Sequence, residues 1–153
     1  MTERISNQDL GKGYMDGLMK TEFYIKKSAL EPKLLELIKY RVSQMNGCAY
    51  CLDMHHKEAI HMGETELRLH SLAAWKECPY YSKKERVALS FTEVITSDNP
   101  DVGEGLFQEL SRFYSKTEIA DLSLAVIQIN SWNRINKIFR ITPGNYKLGQ
   151  FEN

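Results

Sequence analysis

Residues 115–141 read SKTEIADLSLAVIQINSWNRINKIFRI, and this run decides the fold class. Leu122, Val126, Ile129, Trp132, Ile135 and Phe139 recur at intervals of three and four residues. At about 100° per residue they share one side of a single long helix. Ser115 and Glu118 form a capping box, in which each side chain satisfies an amide that the first turn leaves unpaired. Thr142-Pro143-Gly144 forbids continuation, so the run is expected to be helical from Ile119 to about Ile141.

Working outward, the same grammar repeats. Ser82-Lys83-Lys84-Glu85 is a second capping box, followed by Val87, Leu89, Phe91, Val94 and Ile95, with Ser97-Asp98-Asn99-Pro100 as a stop. A helix from about Gly103 to Tyr114 is expected between these two. Upstream, Glu31-Pro32 enters a helix with an apolar stripe at Leu34, Leu35, Leu37, Ile38 and Val42, which Asn46-Gly47 interrupts. The next helix should begin near Cys48 and end at Gly63, a natural C-terminal cap. Thr65 can cap a short helix carrying Leu67, Leu69, Leu72 and Trp75, and the Pro79-containing stretch from Glu77 to Tyr81 reads as a loop. A further helix is expected from about Gln8 to Lys27, weakened by Gly11, Gly13 and Gly17. Strand-like alternation is nowhere sustained, so the expectation is an all-α fold of six to seven helices in one domain, 1–153.

Composition narrows the function classes. Hydrophobic residues make up 42% and charged residues 26%, an ordinary globular balance. Twenty Lys+Arg offset twenty Asp+Glu, so nothing points to nucleic acid or to an anionic membrane. No apolar run approaches the roughly 18–20 residues of a membrane span, and the polar start at Thr2-Glu3-Arg4 does not resemble a signal peptide. The expected location is cytoplasmic. Three cysteines do not make a disulfide scaffold, and in a reducing compartment a close pair is more often catalytic, redox-active or metal-binding.

That pair lies in Asn46-Gly47-Cys48-Ala49-Tyr50-Cys51-Leu52-Asp53-Met54-His55-His56. On a helix, Cys48, Cys51 and His55 share a face, and the i, i+3 spacing lets the two sulfurs bridge within the first turn. Unpaired amides and the positive end of the helix dipole stabilise a thiolate there. His55, one turn further on, can accept the thiol proton. Zinc competes for the same residues, since C-x-x-C is half of a structural site. No second C-x-x-C exists, so His55 or His56 and a distant His61, His70 or Cys78 would have to complete it. A thioredoxin-type motif uses this spacing as well, but after a strand.

The arrangement Glu-x11-Cys-x2-Cys-x3-His, met by Glu36, Cys48, Cys51 and His55, resembles the pattern of AhpD-like alkylhydroperoxidases in the carboxymuconolactone decarboxylase superfamily. The flanks from Tyr40 to Cys51, Trp75, Glu85 to Leu89 and Asn130 to Arg134 are similar to that group, so the resemblance spans about residues 30 to 140. It implies a cofactor-free peroxidase needing no metal. In that scheme Cys51 attacks the hydroperoxide, Cys48 resolves the sulfenic acid as a disulfide, and Glu36 drives a proton relay through His55. It also implies an external dithiol reductant, lipoyl or thioredoxin-like, and a homo-oligomer, trimer or hexamer. Tyr50 stands where some members carry a second histidine, and a phenol cannot act as a base near neutrality. The alternatives are a lactone decarboxylase or hydrolase on the same fold, or a non-catalytic redox-sensing or zinc-binding module.

Other residues carry plainer expectations. His56, His61 and His70 read as surface or helix-end residues, and Cys78 as a loop cysteine without a partner. Glu58 is either a supporting carboxylate or a surface residue. Trp75, Tyr80, Tyr81, Phe91 and Trp132 read as core or interface aromatics, and Arg134 as a partner for a carboxylate across an interface.

Overall fold

In the computed structural model, described for residues 2–151, seven α-helices are joined by short connections, with no strand among the described residues. They are α1 (Asp16–Lys26), α2 (Pro32–Asn46), α3 (Ala49–His61), α4 (Glu66–Ser71), α5 (Lys83–Thr96), α6 (Glu104–Leu110) and α7 (Lys116–Phe139). Short 3-10 segments occupy Asn7–Asp9 and Leu72–Glu77.

Helix α2 is central. Leu34, Leu35, Ile38 and Val42 face a core shared with Ile25 of α1, Val87 and Phe91 of α5, and Leu122, Val126 and Ile129 of α7. Leu37, on another side of α2, joins Ala59, Leu69, Leu72, Trp75 and Leu89 in a second cluster. A helix buried on two sides offers little room for charge, which makes its buried Glu36 and Lys39 conspicuous.

Local signals produced local structure. Ser82 and Ser115 accept hydrogen bonds from the backbone N–H groups of Glu85 and Glu118, and both capping boxes are complete. Thr65 accepts from the Arg68 N–H at 3.3 Å and caps α4. Gly47, at φ +61°, and Gly63, at φ +82°, take the left-handed conformation that ends α2 and α3. At Gly47 the N–H of Cys48 donates back to the Ser43 carbonyl at 3.1 Å. Cys48 therefore closes α2 and is also the N-cap residue of α3.

Three boundaries differ from expectation. The segment expected to be helical from Gln8 to Lys27 forms a helix only from Asp16, because Gly13 turns left-handed at φ +82° just before it. The helix expected to reach Tyr114 stops at Leu110, followed by a turn in which the Phe113 and Tyr114 N–H groups donate to the Leu110 carbonyl. Helix α7 also ends slightly early, at Phe139, where Arg140 adopts φ 58°.

An asparagine lock fixes the end of α2 against α7. The Asn46 side chain donates to Asn130 Oδ1 at 2.8 Å and Asn133 Oδ1 at 2.9 Å, and Asn133 Nδ2 donates to Ser43 Oγ at 3.1 Å. Lys137 donates to the Asn46 carbonyl at 2.6 Å. Asn133 is fully buried, so leaving one of its groups unpaired would cost about 1–3 kcal/mol. The lock holds the Cys48 turn in place. No helix is long and apolar enough to cross a membrane among the described residues.

Candidate functional site

Cys48 and Cys51 stand at the start of α3 with their sulfurs paired as a disulfide and their Cα atoms 5.4 Å apart. Both are buried. Asn136 of α7 directs its Nδ2 at the Cys51 sulfur from 3.3 Å. A cavity of about 960 Å³ lies beside the pair, walled in part by Met19, Phe23, Met54, Trp132 and Phe139. Of the two cysteines, Cys51 lines it, together with His55, Glu36 and Tyr50.

The structure brings the other two expected residues together. His55 Nδ1 lies 2.7 Å from Glu36 Oε2, joining α3 to α2, and both side chains are buried. The Lys39 ammonium is 3.6 Å from Glu36 Oε1 and is also paired with Glu22 of α1. Burial by itself would raise the Glu36 pKa, but the neighbouring charges of His55 and Lys39 outweigh it and bring the carboxyl down to about 2. Burial likewise disfavours the Lys39 ammonium, and Glu36 and Glu22 more than compensate, so its pKa is raised. An ionised Glu36 can only accept a hydrogen bond, so the proton of this contact sits on His55 Nδ1, with Nε2 on the far side of the ring.

Tyr50 does not take over a histidine's role. Burial, then the charge of Asp53, raises its pKa, so it remains a phenol. Glu58 lines the cavity and accepts a hydrogen bond from the Tyr146 hydroxyl, which gives it a defined partner in the C-terminal segment. His56 pairs with Glu66 at 2.9 Å on the surface, and His61 and His70 are exposed. Cys78 is a free, partly exposed thiol near the Ala74 carbonyl. His56, His61, His70 and Cys78 thus lie apart from the cysteine pair, and among the described residues no group of three or more His, Cys, Asp or Glu is placed to hold a metal ion. Trp75 and Phe91 are core residues, Tyr80 is exposed, and within the chain Arg134 donates to the Asn130 carbonyl and side-chain oxygen.

Sequence reading passed over Lys39, Glu22 and Asn136. Lys39 carried a usable signal, since it sits three residues after Glu36 and so on the same helical face. Glu22 and Asn136 lie on other helices, and nothing local marks them.

Comparison with known proteins establishes the family. The profile of the carboxymuconolactone decarboxylase family matches residues 12–94. The chain is 44% identical over 137 residues to the uncharacterized protein YdfG of Bacillus subtilis, covering 89% of this chain and 93% of that one. A protein of unknown function from Agrobacterium tumefaciens, for which an antioxidant defence role as AhpD has been suggested, superposes with TM-score 0.89 at 33% identity over 95% of this chain and all of that one. At the level of fold, an uncharacterized peroxidase-related protein from Silicibacter matches with TM-score 0.80 at 20% identity, over 94% of this chain and 77% of that one. The debrominase Bmp8 shares the fold too, with TM-score 0.77 at 18% identity, over 91% of this chain and 73% of that one. Profile, relatives and fold converge: this chain belongs to the carboxymuconolactone decarboxylase family as an AhpD-like member.

Proposed function

We propose that this protein is a cofactor-free thiol peroxidase that cycles through the Cys48–Cys51 disulfide. The observation that carries the reading is the placement of Cys51 on the cavity wall beside a buried Glu36–His55 pair. His55 Nε2 takes the Cys51 proton, and the thiolate attacks the terminal oxygen of a hydroperoxide. The O–O bond breaks, Cys51 becomes a sulfenic acid, and the departing alkoxide receives the proton from His55 as it leaves as alcohol. The Cys48 thiol then displaces water from Cys51, forming the disulfide. An external dithiol, lipoyl or thioredoxin-like, reduces it and is itself oxidised, so each cycle consumes one hydroperoxide and one dithiol.

The helix N-terminus supports the thiolate, and Asn136 donates to the same sulfur. The cavity is far larger than hydrogen peroxide needs, which favours an organic hydroperoxide. The same reading places the protein in the cytoplasm as one domain, 1–153, assembled as a trimer or hexamer.

The test is a free-thiol count on reduced protein before and after about one equivalent of an organic hydroperoxide. Wild type should lose two thiols, Cys48→Ser should stop at a sulfenic acid on Cys51, and Cys51→Ser should be inert. If wild type keeps its thiols while Cys51 can be alkylated, the peroxidase reading fails.

A further inference from the structure

Lys39 is 3% exposed in the middle of α2, a position an aliphatic side chain would fill at no electrostatic cost. Its ammonium lies between two carboxylates from different helices, Glu22 of α1 and Glu36 of its own. Continuing through Glu36 to His55, a line of ionic and hydrogen-bonded contacts runs from α1 across α2 to α3. Such a line has an electrostatic consequence that an isolated ion pair lacks. Each member sets the proton affinity of the next.

We propose that Lys39 is a positioning residue for Cys51 chemistry, holding Glu36 ionised and aligned on His55 Nδ1, while Glu22 draws on the same ammonium from the other side. The proposal rests on the relay assigned above. Without Lys39, the buried Glu36 carboxylate would lose its fixed positive neighbour and the Glu36–His55 pair would hold a second proton more tightly. The singly protonated pair that accepts from Cys51 would then form only at higher pH. The depressed Glu36 pKa, with Lys39 among its causes, agrees. The other charged or titratable groups facing Glu36 do not duplicate this role. Lys26 of α1 is exposed and screened by solvent, and the Tyr146 phenol from the C-terminal segment is neutral and already donates to Glu58 of α3. Helix α7 contributes the uncharged Asn136.

The experiment is the rate of Cys51 alkylation by iodoacetamide, an uncharged probe, between about pH 5 and 9 in reduced Cys48→Ser/Cys78→Ser protein. Lys39→Met should move the midpoint up by about one pH unit or more, and Lys39→Arg should return it close to the parent value. Glu22→Gln should move it down by about a few tenths of a unit, because the ammonium then acts on Glu36 undivided. Opposite shifts are the signature, since a purely structural brace would lower the melting temperature in both variants and leave the midpoint alone. An unmoved midpoint in folded Lys39→Met, or an upward shift in Glu22→Gln, overturns the proposal. If Lys39→Met does not fold, Glu22→Gln and Lys39→Arg decide it. A downward shift in the first with a parental midpoint in the second supports the proposal, and any other pair of results overturns it. No peroxide enters this readout. Predicted shifts in a protein that cannot reduce hydroperoxides would keep the Lys39 role and remove the peroxidase reading, and turnover with unmoved midpoints would do the reverse.

Discussion

Helix α2 serves two carboxylates that look alike on paper and differ in their partners. Glu36 of α2 meets Lys39 and His55, whereas Glu93 of α5 meets Arg41 of α2 at 2.6 and 2.9 Å, the Trp75 indole N–H at 2.8 Å and Lys76 at 2.8 Å. Burial works to raise both pKa values, and in both cases the partners prevail and lower them. A depressed carboxylate is therefore not in itself the mark of a site. The partners separate the two. Guanidinium, ammonium and indole keep their protons near neutrality, so Glu93 is a brace tying α2, α5 and the Leu72–Glu77 segment together. Glu36 instead faces an imidazole that can gain and lose a proton, one turn from a cysteine on a cavity wall.

The largest effect expected from this contrast is on acid stability. A carboxyl held at about 2 in the fold, against an ordinary 4.5, contributes on the order of 3 kcal/mol above the ordinary value. That contribution is lost as pH falls from 4.5 towards 2. Urea unfolding of wild type and Glu36→Gln across that window should therefore converge towards low pH, since the amide does not titrate. The other depressed carboxylates are common to both proteins and cancel. Parallel stability curves would mean that Glu36 is not held ionised by the fold.

The next effect separates brace from relay. Glu93→Gln leaves Arg41 and Lys76 without their counter-charge at a site 16% exposed, and should lower unfolding stability by about 2 kcal/mol. Its rate of Cys51 oxidation by an organic hydroperoxide should stay within about twofold of wild type, whereas Glu36→Gln should lose about 100-fold. Stopped-flow thiol loss at neutral pH measures both. Equal losses in the two variants would erase the distinction.

How much of this could be read from the sequence follows from the range of each interaction. The capping boxes at Ser82 and Ser115, the Thr65 cap and the turns at Gly47 and Gly63 operate over a few residues, and each appears where the residues indicated. The Cys48, Cys51 and His55 face is equally local. Pairing of Glu36 with His55 spans 19 residues and two helices, so residue spacing alone could not show it, and the family resemblance was needed. Glu22 and Asn136 lie beyond either kind of inference, because contacts across 17 and 85 residues are set by packing. The N-terminal overestimate arose differently. Helical propensity favoured continuity from Gln8, and one left-handed glycine overrode it.

Asn136 provides the smallest and most selective probe of the proposed relay. Its Nδ2 is 3.3 Å from the Cys51 sulfur, and it comes from α7 rather than from the helices that carry the charges. An amide donates to a thiolate more strongly than to a thiol, so it should favour the ionised form of Cys51 without taking part in proton transfer. Asn136→Ala should slow Cys51 oxidation by about threefold and raise the midpoint of Cys51 alkylation by a few tenths of a pH unit, roughly the size of one modest hydrogen bond. The variant keeps Glu36, His55 and Lys39, so raising the pH should restore most of the lost rate. In Glu36→Gln the proposed relay is missing, and the same rise in pH should recover much less. A pH-independent loss in Asn136→Ala would mean that Asn136 shapes the cavity wall instead of supporting the thiolate.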